Sequence, residues 1–478
     1  MLLRHTLLYL PAQIVGPLFQ LVAVIVWTHI IDEHALGVVT LVTAIHELLQ
    51  TAFLAWWSQY TLRFVSRFTS EEDKTRFRRT ENAVLLGSIV LQGVLAVTIL
   101  ILAIDADANP ALIMATVGYV ISRSLNLYIG ERARAAHAIG VYSVQQITGP
   151  MLGLGLGYLM IEAFGQGPEW PLAGYALAQF GAVALVLPLI RLTHGIGPID
   201  PSIRRQALAY GVPLIAGNAL TWAALNASRF VTGGMLGVAS AGLFAVGYGL
   251  GQRAATVPAM LVTAAAFPIA VRHMERGGSR IAMRQLADNG ALLAGILLPS
   301  VVGVFMLRGE IVRLLIAGPF QAATLAILPL AVLAGAIRNF RAHFGDQVFL
   351  LHDRTRIWLL VVGVDGGLTV LFSAVCTALW GLVGAAAATV AATIVAAVVS
   401  FSIGWKEFSL QLPWAHLARI GFATMAMTVV LQLIARAGGG YLDLALNVLA
   451  GALTYFATLA ALYAPKLVDY LRLQEKRV

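Results

Sequence analysis

The chain has 478 residues, of which 59% are hydrophobic and only 12% are charged, and its mean hydropathy is +0.82. So few charged side chains cannot cover a soluble protein of this size, which excludes a soluble fold and indicates an integral membrane protein. The formal net charge of +9 comes mainly from loops between apolar segments, so it indicates membrane topology rather than a nucleic-acid surface. The single cysteine, Cys376, excludes an intrachain disulfide.

Apolar runs of about 20 residues, the length that crosses a bilayer core, recur from one end of the chain to the other. The first run, which begins at Thr6, is too long for a signal-peptide core and is expected to remain as the first helix. The fold class is therefore predicted to be an all-α polytopic membrane protein with about 14 transmembrane helices. The predicted spans are 6–30, 37–60, 82–104, 110–129, 141–164, 170–191, 206–228, 240–268, 286–307, 322–344, 357–378, 380–404, 416–436 and 441–464.

The basic residues fall mostly in every second loop, beginning with Arg4 and the loop around Ser70. Because cytoplasmic loops are enriched in Lys and Arg, both termini are predicted to be cytoplasmic. The loops 105–110 and 308–321 are predicted to be external. An even number of spans fits this distribution.

Two segments share the pattern R-x6-G-[DE]-x5-H. They are RSLNLYIGERARAAH, which runs from Arg123 to His137, and RNFRAHFGDQVFLLH, which runs from Arg338 to His352. Each begins in an apolar run and ends in a charged loop. We interpret each copy as the end of a membrane helix with its exit turn, so the pattern predicts an internal duplication.

The duplication extends to other helix starts. Gly37 near the start of span 2 matches Gly242 near the start of span 8, and Trp170 at span 6 matches Trp380 at span 12. Six spans separate the copies, which predicts parallel repeats related by a pseudo-twofold axis along the membrane normal. The expected domains are an N-terminal six-helix lobe (1–195), a C-terminal six-helix lobe (206–404), and two extra helices with a cytoplasmic tail (405–478).

Ionisable side chains at membrane depth are costly and mark pathways by default. The candidate substrate-binding residues share polar helical faces with such charges, and they are Arg123, Arg253, Arg338, Asn126, Tyr119, Asn218, Trp222 and Arg229. The candidate coupling or cavity acids are Glu47 and Asp365.

Each charge also has a structural alternative. Arg338 could snorkel to the inner interface, and Glu47 could be a structural partner for an arginine. Asp365, within GVDGG, could serve helix packing or a hinge. The sequence has neither a phosphate-binding glycine loop with lysine nor a Cys/His cluster with metal-ligand spacing, so no enzyme activity, no cofactor and no metal is expected.

Three stretches carry a family resemblance: Ile30–Leu49, Arg205–Leu250 and Arg308–Phe340. Together they resemble the bacterial polysaccharide and oligosaccharide-lipid flippases of the multidrug/oligosaccharidyl-lipid/polysaccharide exporter superfamily. One departure is Ser228, which stands where that family often has an acid before the arginine that ends span 7, here Arg229.

The resemblance implies two bundles around a cavity that opens alternately to either side. It implies outward transport of an undecaprenyl-pyrophosphate-linked oligosaccharide across the bacterial inner membrane, for exopolysaccharide or O-antigen assembly. Arg123 and Arg253 would then face a shared water-filled space and bind the pyrophosphate. By analogy with the lipid II flippase, spans 13 and 14 would hold the lipid tail.

The implied partners are the lipid-linked substrate, membrane lipids and the polysaccharide synthesis machinery, with no nucleic acid. The driving force would be an ion gradient, the membrane potential or substrate turnover. Two alternatives stay open: a cation-coupled multidrug exporter of the same superfamily, and a non-transporting scaffold of polysaccharide synthesis.

Overall fold

A computed structural model describes residues 2–105, 107–190, 197–434 and 439–475. These ranges contain helices and short connections and no β-strand. The α-helices in them are α1 (Leu2–Ile30), α2 (Glu33–Phe53), α3 (Ala55–Phe64), α4 (Glu71–Ile99), α5 (Pro110–Ala135), α6 (Ile139–Phe164), α7 (Glu169–Ile190), α8 (Pro201–Leu236), α9 (Val238–Gly277), α10 (Ser279–Leu315), α11 (Gly318–Phe340), α12 (Gln347–Leu351), α13 (Thr355–Phe408), α14 (Trp414–Ile434) and α15 (Tyr441–Glu475).

The predicted all-helical membrane fold is confirmed. Among the described residues, 11 helical segments are long and apolar enough to cross a membrane. One of them, α13, corresponds to two predicted spans, because Trp380 and Gly381 leave helical geometry and Gly381 takes a φ of 60°. A glycine suits this break because it has no Cβ to clash in the left-handed region. The second predicted span is made by α2 and α3, which are separated only at Leu54.

One compact unit comprises residues 1–246 and 365–385. Within it α5 packs against α4, α6 and α7, while α8 packs against α2 and α3. Its apolar core includes Val38, Leu49, Val120 and Leu172, which are all buried. The helices α6 and α7 meet at two glycines, Gly157 and Gly174, whose backbones approach too closely for a side chain.

A second glycine pair joins α2 to α9 inside this unit. A methyl group at Gly242 would lie 2.8 Å from the backbone nitrogen of Gly37 and would also clash with the Glu33 carbonyl oxygen. A methyl group at Gly37 would clash with the Val238 carbonyl oxygen. The first turns of α2 and α9 can therefore touch only because both positions are glycine.

The other compact unit comprises residues 247–364 and 386–478. Within it α10 packs against α11, α14 and α15. A π-helical turn, Arg341–Gly345, follows α11 and leads into the short helix α12. Asp346 anchors this turn, because its carboxylate accepts hydrogen bonds from Arg341 Nε at 3.2 Å and from Ser400 Oγ at 2.6 Å.

The repeated R-x6-G-[DE]-x5-H pattern marks a helix end with an exit turn in both places, as predicted. The first copy leaves α5 through His137, which has a φ of 55°. The second copy leaves α12 through Asp353, which has a φ of 56° and lies one position after the histidine that ends the pattern. The second copy turns later because it includes the π-helical turn. The lobe boundaries derived from the repeat stay a prediction.

Candidate functional site

Two of the predicted residues on α8, Trp222 and Arg229, lie against α2 together with Asn226. Trp222 Nε1 donates to the Ala44 carbonyl at 2.9 Å, and Arg229 Nη1 donates to the Thr40 carbonyl at 3.3 Å. Between them, Asn226 Nδ2 lies 3.5 Å from Glu47 Oε2. Glu47 is an exposed residue, and these contacts agree with the alternative that it has structural partners.

Arg123 differs from the other arginines that the sequence predicted to bind substrate. It is half-buried on α5, and in the described part of the chain its guanidinium has no hydrogen bond or ion pair. The serines on both sides of it are buried and fixed: Ser122 Oγ donates to Gln179 at 3.2 Å, and Ser124 Oγ donates to Gln92 at 3.0 Å. The helix is therefore held in place on both sides of the Arg123 guanidinium.

His46 extends this anchoring from α2. Its Nε2 lies 3.1 Å from Ser124 Oγ, and its ring meets the Tyr119 ring edge-on at 5.7 Å. His46 and Tyr119 are both buried. The hydrogen bonds that link His46, Ser124 and Gln92 hold α5 between α2 and α4. From the sequence we expect His46 to make an ordinary polar contact, which this bond agrees with, whereas Gln92 carries no prediction.

Asn126, another predicted binding residue, is buried in the same unit. Its Nδ2 donates to Gln145 Oε1, and Gln145 Nε2 donates to the Ala182 carbonyl at 3.0 Å. These bonds join α5, α6 and α7. Asn126 therefore holds the bundle together in this conformation, and its contact with a substrate stays a prediction.

In the second unit Arg338 is buried rather than snorkelled. Its Nη1 donates to Tyr248 Oη at 3.0 Å and its Nη2 donates to Thr393 Oγ1 at 2.9 Å, so it joins α11 to α9 and α13. Arg253 is half-buried on α9, and its Nη1 lies 3.1 Å from the position that a Cβ would take at Gly249. The glycine therefore leaves room for this guanidinium.

Asp365 and Asn218 occupy opposite environments. Asp365 is 1% exposed on α13, whereas Asn218 is exposed on α8. Next to the acid, Gly366 allows α13 to approach α8 so closely that a Cβ would lie 2.5 Å from the Leu220 carbonyl oxygen. This close contact supports a packing role for the segment around Asp365, and the coupling role stays a prediction.

The first unit contains a buried ionic cluster that was not predicted from the sequence. The Glu81 carboxylate of α4 is fully buried and accepts hydrogen bonds from Tyr128 and Arg132 of α5. Trp57 Nε1 donates to the same Tyr128 hydroxyl at 3.1 Å. The sequence contains one signal for this cluster. Glu81 is a single acid that follows the basic run 74–79, at the point where the apolar part of α4 begins.

The second unit has an apolar groove of about 340 Å³ between α10, α14 and α15. Its polar lining groups are already bonded: Tyr455 Oη donates to the Gly295 carbonyl at 2.6 Å, and Asn447 Nδ2 donates to Glu310 at 3.1 Å. The rest of the groove surface is apolar, and its lining includes Gly303, Leu307, Met427, Leu431, Gly451 and Phe456. A hydrocarbon chain is the ligand that such a surface suits.

No group of three or more His, Cys, Asp or Glu side chains within the described ranges could hold a metal ion.

Comparisons with known proteins identify a family and a fold. The profile of a family described as "Polysaccharide biosynthesis protein" matches residues 36–325, which is more than half of the chain. A search of curated proteins finds no match.

Several solved structures share the fold. The structure described as "Lipid II flippase MurJ, inward closed conformation" has a TM-score of 0.78 at 13% identity, and the match covers 96% of this chain and 100% of that one. An inward-facing multidrug resistance MATE family transporter of the MOP superfamily has a TM-score of 0.56 at 17% identity, covering 84% of this chain and 98% of that one. A MOP superfamily transporter from Pyrococcus furiosus has a TM-score of 0.52 at 17% identity, and the match covers 85% of this chain and 95% of that one.

Proposed function

Because the chain belongs to the polysaccharide biosynthesis protein family, we propose that it is a flippase for a lipid-linked oligosaccharide. The substrate is an oligosaccharide on undecaprenyl pyrophosphate, carried outward across the bacterial inner membrane by alternating access. Both termini lie in the cytoplasm. The product enters exopolysaccharide or O-antigen assembly, where the flippase contacts the synthesis machinery.

The observation that carries the proposal is the apolar groove on α10, α14 and α15. A water-soluble substrate has no use for an apolar groove of about 340 Å³, whereas a polyprenyl chain, which stays within the hydrocarbon region, can pack along it through van der Waals contacts. The fold shared with the lipid II flippase along 96% of this chain supports the same substrate class.

Arg123 and Arg253 are the residues proposed to bind the pyrophosphate. Both are half-buried within spans, where a lipid-exposed guanidinium would be costly. Arg123 has no intramolecular partner in the described residues, so an anion can bind it without breaking an existing bond. The planar guanidinium matches phosphate oxygens with two parallel hydrogen bonds.

A second candidate function is cation-coupled export of a multidrug substrate. The exposed Glu47 carboxylate beside Asn226 favours it, because an accessible acid at membrane depth can bind a proton or a cation. The fold shared with MATE transporters is compatible with it. Under this alternative, Glu47→Gln would abolish transport, whereas the Arg123→Ala variant would retain it.

Filling the groove tests the lipid-tail step. Gly303 and Gly309 both lie on α10 and both have open space where a side chain would begin, but only Gly303 lines the groove. In a strain that lacks its own flippase, Gly303→Leu should reduce surface polysaccharide at least about fivefold, because the side chain occupies the trough. Gly309→Leu is the matched control. Equal export by both variants, at equal membrane levels, would contradict a tail-binding groove.

Removing the cations tests the headgroup step. Arg123→Ala and Arg253→Ala should each abolish export while the protein remains in the membrane. Arg→Lys at either position should restore export only in part, because an ammonium keeps the charge and loses the planar fork. Arg134→Ala is the control on α5, since Arg134 is an exposed residue paired with Glu131 at 3.3 Å. Normal export by the Arg123→Ala, Arg253→Ala double variant would refute this headgroup site.

A further inference from the structure

The arginines at one end of the first unit divide into two groups. Arg76 pairs with Asp200 at 2.6 Å, and Arg132 pairs with Glu81. Arg63 and Arg67, in contrast, have no acidic partner within the described residues, and both are exposed. Two cations thus lie close together where the second span leaves its apolar segment, with no carboxylate to neutralise them.

An aromatic surface fixes these two cations. The guanidinium carbon of Arg63 lies 5.6 Å from the centre of the Phe64 ring, and that of Arg67 lies 4.5 Å from the same centre. Arg63 also lies 5.2 Å from the Tyr210 ring and donates a hydrogen bond to the Tyr210 hydroxyl at 3.4 Å. Stacking on a ring orients a guanidinium and leaves most of its N–H groups directed outward.

The ring surface is itself anchored in the bundle. The Phe64 ring packs against Tyr60 at 5.1 Å and against Tyr210 at 5.1 Å. Tyr60 is only 2% exposed, and its hydroxyl donates to Gln206 Oε1 at 3.2 Å. The cation pair therefore rests on a rigid base that joins α3 to α8, and little ordering is needed before a ligand binds.

We propose that Arg63 and Arg67 form a phosphate-binding site for the headgroup of an anionic glycerophospholipid. Two like charges beside one ring repel each other, and a bridging phosphate removes this repulsion. Each guanidinium supplies a planar fork that matches phosphate oxygens. The site lies at the end of a membrane span beside the half-buried rings of Phe64 and Tyr210, at the level where lipid headgroups surround the protein. The occupant is thus a lipid of the adjacent leaflet, independent of the transported substrate.

The test is a titration of the purified full-length protein with phosphatidylglycerol, read by native mass spectrometry as the apparent Kd of the first bound lipid. Arg63→Gln with Arg67→Gln should weaken that first binding about tenfold, since two charge-assisted contacts are lost. Phe64→Leu keeps both charges and should weaken it about threefold, because the arginines lose their orientation. Phosphatidylcholine should bind the wild-type protein less tightly than phosphatidylglycerol.

The matched control is Arg204→Gln with Arg205→Gln, which removes the same charge from two exposed positions on α8 that lie outside any described ring contact. Its first lipid should bind within about twofold of wild type, because only diffuse attraction is lost. Equal weakening by both double variants would overturn the proposal in favour of general charge attraction. Protection from thermal unfolding by inorganic pyrophosphate or by an acidic peptide, without protection by phosphatidylglycerol, would overturn the assignment to lipid.

Discussion

Gly37 of α2 and Gly242 of α9 lie directly against each other. A methyl group on Gly242 would lie 2.8 Å from the Gly37 nitrogen. The repeat pattern pairs these same two glycines as equivalent positions of its two copies. The duplication itself stays a prediction, and the contact shows that the first turns of α2 and α9 need glycine at both positions.

Enlarging either glycine should destabilise the protein. In Gly37→Ala the new methyl group clashes with the Val238 carbonyl, and backbone atoms cannot move aside as a flexible side chain would. Overpacking of this kind costs about 1–3 kcal/mol. The measurement is the apparent melting temperature of the detergent-purified protein, which should fall. Gly87→Ala is the control: it lies in α4 with open space around it and should be neutral or stabilising. Equal melting temperatures for Gly37→Ala and wild type would contradict the close contact.

The buried carboxylate of Glu81 should be important for folding. Glu81→Gln leaves the Arg132 guanidinium, whose side chain is 14% exposed, without its counter-ion. Removing one partner of a buried pair costs about 3–5 kcal/mol. We expect a large loss of folded protein in the membrane, measured by fluorescence-detected size exclusion. Glu131→Gln breaks the more exposed pair with Arg134 and should have little effect. Similar yields for the two variants would mean that the Glu81 cluster contributes no net stability.

The sequence predicted the helices well and their side-chain contacts poorly. The spans follow from length and hydropathy, because a bilayer imposes both locally. The split of α13 at Trp380 followed from a match between the repeats, and the structure confirms it at Gly381. Helix ends were less well predicted, since α9 and α10 extend several residues past their apolar segments into polar sequence.

The site shows why contacts are harder to predict. The repeat pattern matched Arg338 with Arg123, yet Arg338 is bonded to Tyr248 and Thr393, whereas Arg123 has no hydrogen bond or ion pair in the described ranges. Whether an arginine has hydrogen-bond partners depends on residues that lie far away in the sequence. The cluster of Glu81 with Tyr128 was missed for the same reason, because its members come from different helices.

The N-cap of α8 should make stability depend on pH. Asp200 accepts hydrogen bonds from the Ser202 hydroxyl and from Arg76, and these hold the pKa of its carboxyl well below the ordinary value. A pKa lowered by folding stabilises the protein above the unfolded-state pKa, which is about 3.9, and this contribution is lost as the pH falls below it. Asp200→Asn keeps a capping side chain and removes the charge. The melting-temperature difference between wild type and Asp200→Asn should be constant from pH 7 to about 5 and should shrink below about 4. A difference that grew on acidification would contradict this assignment.

The topology can be tested by cysteine labelling. On a Cys376→Ala background, a cysteine at Ser70 should resist a membrane-impermeant maleimide in intact cells, because the Lys and Arg distribution predicts a cytoplasmic loop there. A cysteine at Asp107 should be labelled from outside. Labelling at residue 70 in intact cells would overturn the predicted orientation.

The most direct test of the account is translocation itself, measured with purified protein in liposomes. Undecaprenyl-pyrophosphate oligosaccharide is placed in the inner leaflet, and its appearance outside is followed with a membrane-impermeant glycosidase. We expect cleavage that depends on the protein and is reduced at least about tenfold by Arg123→Ala, since the proposed pyrophosphate contact is lost. Cleavage no faster than in protein-free liposomes, from protein that exports an organic cation in the same vesicles, would contradict it.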